Sequence, residues 1–143
     1  MDAKYFVPFE TAKALKEKGY NEKISYAYNK GRRIVRAGVI DCNNTDWDNL
    51  CKVQSSYPPR LDYISAPTYH EVVDWLEREK EIYITTYRVV MAYVVETPQG
   101  TIKEKLGWKG CAEVPSGAEE DTDTFITREE ALNAGILKAL EML

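Results

Sequence analysis

The sequence predicts an α+β protein whose elements run α-β-β-α-β-β-α. Two Thr-x-x-Glu boxes, Thr68 to Glu71 and Thr127 to Glu130, each open a stretch with helical apolar spacing. Runs rich in Val, Ile, Thr and Tyr alternate with turn residues in the remaining chain. A 143-residue chain with 44% apolar and 29% charged residues has the balance of a folded domain. The expected architecture is a single domain over 1–143, in two layers. Three helices pack on a mostly antiparallel sheet of about four strands.

The first helix is predicted over Pro8 to Lys18. Proline suits the first helical position, where its missing N–H costs nothing. Phe9, Ala12 and Leu15 form its inner face, and Gly19 ends it with Tyr20 folding back. Ile24–Tyr28 and Arg32–Arg36 then flank Asn29-Lys30-Gly31, a three-residue hairpin loop with glycine where a positive φ is wanted. Residues 37–66 are rich in Asn, Asp, Ser and Pro and read as a long ordered loop, with a helical turn around Trp47 to Val53.

The second helix follows the Thr68 box, with Tyr69, Val72, Val73, Trp75 and Leu76 as its stripe. Asp74 and Arg78 pair at i,i+4 on the wet side. Ile82 to Val95 reads as a long strand, apolar on both faces and therefore central in its sheet. Thr97-Pro98-Gln99-Gly100 is a type I turn signal, and the return strand runs from Thr101 towards Val114. Pro115 to Thr124 reads as an acidic loop. The last helix opens at Thr127, with Leu132, Ile136, Ala139, Leu140 and Leu143 as its stripe and Gly135 placed for a close backbone approach.

The longest apolar run, Val89 to Val95, is far short of the ~20 residues a membrane helix needs, so no membrane partner is expected. Met1 to Tyr5 lacks the basic and apolar pattern of a signal peptide, and a cytoplasmic location is expected. Cys42, Cys51 and Cys111 are then expected to stay reduced. The net charge of −4 is uneven. Residues 1–72 hold 11 Lys/Arg against 9 Asp/Glu, and residues 73–143 hold 8 against 14. General nucleic-acid binding by the whole molecule is disfavoured, while a local basic patch is allowed.

Three segments carry a family resemblance: Val7 to Tyr20, Ala66 to Glu77, and Arg128 to Leu140 with its Arg-Glu-Glu-Ala-Leu start. They resemble small uncharacterised phage and prophage proteins of gut Bacteroides-type bacteria. That family has no established activity, so the resemblance implies a mobile-element origin and no functional residue.

Candidate chemistry is thin. His70 and the cysteines lack C-x-x-C or H-x-x-x-H spacing, which leaves no metal or cofactor pattern. From Asp121 the sixth position is Ile126 and the twelfth Leu132, which excludes an EF-hand. Asn43-Asn44-Thr45 matches a glycosylation acceptor that matters only on a secreted chain.

The segment 20–36 interleaves Tyr20, Tyr26 and Tyr28 with Lys23, Lys30, Arg32, Arg33 and Arg36. Exposed aromatics among cations can stack bases and hold phosphates. Tyr26 and Tyr28 share one strand face, however, and core packing explains them equally. The expected function is a non-enzymatic accessory or protein-interaction module with a protein partner. Single-stranded nucleic-acid binding through Tyr26, Tyr28, Lys30, Arg32, Arg33 and Arg36 is the alternative. An exposed apolar patch favours the first reading, and a deep polar pocket holding His70 or a cysteine favours an enzyme.

Overall fold

A computed structural model describes residues 3–45, 63–95 and 98–143. The expected helical turn at 47–53 and the start of the turn at Thr97 lie outside them. The chain divides into two compact units, Met1–Glu71 and Val72–Leu143.

In the first unit a 3-10 turn, Ala3–Tyr5, leads into α1, Phe9–Glu17. Pro8 sits just outside the helix with φ −60° and ψ 157°, and its carbonyl accepts the Ala12 N–H. The helix ends as expected. Gly19 takes φ +91°, its N–H donates to Lys16, and the Tyr20 N–H donates to Leu15, which satisfies two orphan carbonyls. Thr11, Ala12 and Leu15 are buried.

Three strands form the first antiparallel sheet: β1 Ile24–Tyr28, β2 Ile34–Ile40 and β3 Ile64–Ser65, in the order β2-β1-β3. The expected loop 37–66 therefore yields both its ends to this sheet. Asn43 ties the region together: its amide donates to the Tyr20 carbonyl at 3.0 Å, and its Oδ1 accepts the Ser65 N–H at 2.9 Å.

The hairpin loop is three residues long, as expected, but lies one residue further on. Asn29 and Arg33 close it through Asn29 N–H to the Arg33 carbonyl, and Arg32 N–H donates to the Asn29 carbonyl. The positive φ, +59°, falls on Arg32 and not on Gly31. The cause is the Asn29 side chain, whose Oδ1 accepts the Arg33 N–H at 3.0 Å. That bond suits asparagine to the first position of a type I turn and outweighs the glycine preference.

The second helix, α2 Tyr69–Lys80, begins at the predicted box. The Thr68 N–H donates to Glu71 Oε1 at 2.9 Å, and the Glu71 N–H donates back to Thr68 Oγ1 at 3.2 Å. Val72, Trp75 and Leu76 are buried, and Arg78 pairs with Asp74 at 3.4 Å.

The second unit holds β4 Tyr83–Val95, β5 Ile102–Glu113 and β6 Glu119–Asp121, antiparallel in the order β4-β5-β6. The described residues thus hold six strands in two three-stranded sheets, not one sheet of about four. The third helix, α3 Arg128–Glu141, is capped by Thr127, whose Oγ1 accepts the Glu130 N–H at 3.2 Å.

One sheet face carries α3. Its buried residues are Ala131, Gly135, Ile136, Ala139 and Leu140, so the inner face is turned by about one residue from the expected Leu132 stripe. Glycines set this rotation. A Cβ on Gly110 of β5 would lie 2.3 Å from the Ala131 carbonyl oxygen, and one on Gly135 would meet Ile84 at 3.2 Å. Leu143, expected in the core, is 43% exposed.

Two expectations are corrected here. The strand 82–95 was expected at the centre of its sheet, but among the described residues β4 pairs with β5 alone and β5 is central. The acidic loop 115–124 contains β6, which pairs Glu119 to Asp121 against Glu113 to Cys111. Its turn is the same three-residue type as the first hairpin. Val114 N–H donates to Ala118, Gly117 N–H donates to Val114, and Gly117 takes φ +88°.

Candidate interaction surface

The basic hairpin does not present its tyrosines as a stacking platform. Tyr28 is buried, donates its hydroxyl hydrogen to the Val7 carbonyl at 2.5 Å, and meets Phe9 edge-on with ring centroids 5.4 Å apart. Burial raises its pKa above the ordinary tyrosine value. Tyr20 is buried as well. Tyr26 is half-buried, edge-on to Phe6 at 5.1 Å.

Among the cations, Arg32 is exposed and lies along the first unit's own surface. Its guanidinium lies 4.6 Å from the Phe9 ring centre and 3.4 Å from Glu10. Lys30, Arg33 and Arg36 are also exposed around the turn. The six residues singled out from sequence are therefore neighbours in space. Tyr28 faces the interior, Tyr26 is half-buried, and all four cations are exposed.

The groups with reactive potential are similarly placed. His70 is exposed. Cys42 and Cys111 are free and buried. Burial, with the Asp41 charge second, pushes the Cys42 thiol up to about 11. Burial also pushes Cys111 up to about 11, followed by the charge and hydrogen bond of Asp121 and the charges of Glu119 and Glu113. A thiol held protonated is a poor nucleophile and a poor metal ligand. Among the described residues no group of three or more His, Cys, Asp or Glu side chains could hold a metal ion. A groove of about 230 Å³ lies between Asp121–Phe125 and α3, lined by Leu137, Lys138 and Glu141 among others. It is smaller than the ~300–1,000 Å³ that small-molecule sites span.

Among the described residues, five of the ten exposed large hydrophobic side chains lie on the β4–β5 ribbon. Register places Tyr83, Thr85, Tyr87 and Val89 on the face opposite α3, beside Glu113, Cys111, Lys109 and Gly107. Tyr83 is 42% and Tyr87 39% exposed. Met91, the extra residue of a bulge between Val90 and Ala92, covers Gly107, where an added Cβ would lie 2.4 Å from its sulfur. Val90 and Leu106 face each other across the ladder, 42% and 43% exposed.

That pair shares the α3 side of the ribbon with two cations. Arg88 and Arg128 lie 4.8 and 6.0 Å from the Trp108 ring centre, and Arg128 donates to Thr86 Oγ1 at 3.1 Å. On the open face the Tyr87 pKa is raised, first by desolvation and then by its hydrogen bond to Asp121.

These residues escaped the sequence reading because an apolar run on both faces is the pattern of a central strand. The position of β4 at an edge follows from pairing, which no local signal in 82–95 encodes.

No family model, curated protein or solved structure matches the chain. No helix among the described residues is long and apolar enough to cross a membrane.

Proposed function

We propose that this chain is a non-enzymatic protein-interaction module that engages its partner through the β4–β5 ribbon. One observation carries the reading: Tyr83, Tyr87 and Met91 lie on the open face of the ribbon, each more than a third exposed. Apolar side chains clustered in this way, beside polar groups such as Lys109 and Asp121, have the make-up of an interface core and its rim. The exposure of His70 and the protonated thiols argue against an enzyme. The phage or prophage setting rests on the sequence resemblance, and a cytoplasmic site of action on three cysteines with no disulfide pattern.

The test is affinity capture from the host lysate with the native chain and a Tyr83→Asp, Tyr87→Asp variant. A partner held by the first and lost by the second supports the reading. Identical capture by both removes it.

A further inference from the structure

We infer that the partner of β4 is a second copy of this chain, paired antiparallel along the open edge about a two-fold axis at Tyr87. The inference rests on the interaction-module reading and names its partner.

Among the described residues the other edges are guarded, β3 by being only two residues long. The outer strand β6 is three residues long and wholly acidic, Glu119-Glu120-Asp121. The outer strand β2 carries Arg36, and its register with β1 shifts between Ile24 and Tyr26. Short, charged and bulged strands resist further pairing. By contrast β4 is 13 residues long, contains neither proline nor glycine, has one charged residue, Arg88, and pairs regularly from Tyr83 to Val90, with its bulge only at Met91. Its outer side makes no backbone hydrogen bond among the described residues. An edge so unguarded is a template for another strand.

Self-complementarity selects the occupant. An axis at Tyr87 sets Tyr83 opposite Met91 of the second copy, Thr85 opposite Val89, and Tyr87 opposite Tyr87. The three large exposed residues of the open face thus meet one another as aromatic–sulfur and aromatic–aromatic pairs. On the opposite face Arg88 meets Thr86. An axis at Arg88 would instead set two guanidinium groups face to face, which like-charge repulsion disfavours. The acidic β6 strands would lie five strand spacings apart, about 24 Å, beyond the ~8 Å screening length of physiological salt. The negative charge of the second half therefore does not oppose pairing.

Sedimentation velocity of the full chain over a concentration series tests this. A dimer is expected, with Tyr87→Lys weakening association at least tenfold by placing two lysines across the axis. Ile126→Lys, at an exposed position outside the β4–β5 ribbon, should leave association intact. Melting curves confirm that both variants fold. Hydrogen exchange adds an independent readout: amides of 83–91 should gain protection as protein concentration rises.

A chain monomeric up to about 100 μM overturns the inference, because that places any Kd above the micromolar range. So does a dimer insensitive to Tyr87→Lys, or one without new protection in β4. If the chain is monomeric yet captures a partner sensitive to Tyr83→Asp and Tyr87→Asp, self-pairing falls and the interaction module stands. If neither occurs, both fall.

Discussion

Tyr28 and Val7, 21 residues apart, are joined by a hydrogen bond from the buried Tyr28 hydroxyl to the Val7 carbonyl at 2.5 Å. This bond fastens the chain before α1 to strand β1, and Phe9 packs edge-on against the same ring. Tyr28→Phe keeps the ring and strands a buried carbonyl, so a loss of about 1–3 kcal/mol is expected in denaturant unfolding. Tyr28→Ala should cost about 3–5 kcal/mol, the range for removing a large core side chain. A Tyr28→Phe variant as stable as the parent would show that the bond adds nothing.

The glycines under α3 should separate sharply on mutation. At Gly110 the obstacle is the Ala131 carbonyl at 2.3 Å, backbone that cannot swing aside. Gly110→Ala is expected to lose about 1–3 kcal/mol or more through overpacking. At Gly135 the obstacle is the end of the Ile84 side chain at 3.2 Å, which can shift by a few tenths of an ångström. The gain of about 1 kcal/mol in helix propensity offsets that movement, so Gly135→Ala should fall near neutral. Thermal unfolding of the two variants side by side checks the contrast.

The two hairpins give a matched pair. Gly117 holds the left-handed position of its turn, while Gly31 sits one residue before the corresponding position, which Arg32 occupies. Gly117→Ala should cost about 1–2 kcal/mol of backbone strain. Gly31→Ala should be neutral or stabilising by about 0.4–1 kcal/mol, because alanine narrows the unfolded ensemble at a position it can adopt. Equal losses in both variants, measured by chemical denaturation, would contradict the assigned turns.

Alkaline stability follows from the thiols. Cys42 and Cys111 are raised to about 11 in the folded protein, so the unfolded chain releases these protons first. Their contribution to stability is full below the ordinary thiol range and is lost as pH rises towards about 11. Tyr28, raised by burial, acts in the same direction at still higher pH. Denaturant midpoints should fall steadily above about pH 9, with a shallower fall in Cys42→Ala. Both thiols should also resist alkylation at neutral pH until the protein unfolds.

Helices were legible because their signals are local. The Thr68 and Thr127 boxes and the Gly19 stop depend on residues five or fewer apart, and each bond forms as the spacing requires. Sheet membership was not legible. Glu119-Glu120-Asp121 has poor strand propensity and pairs only because β5 presents an open ladder beside it. The edge position of β4 is likewise a property of what lies next to it. Of the candidate site, the charges of the 29–36 turn were foreseen in place. The inward aim of Tyr28 depends on Phe9 and Val7, which sequence distance hides.

The contact of Gly110 with Ala131 and Gly135 also fixes the seating of α3. Ala131 and Gly135 lie one turn apart, and both press nearly bare backbone onto β5. They act as a notch matched to the gap at Gly110. Rolling the helix by one residue would bring Leu132 and Ile136 to the places of Ala131 and Gly135, where the sheet leaves room for little more than backbone. The helix therefore has one rotational setting on the sheet. Mutation elsewhere in this unit can loosen α3 or release it, but cannot roll it onto a different face.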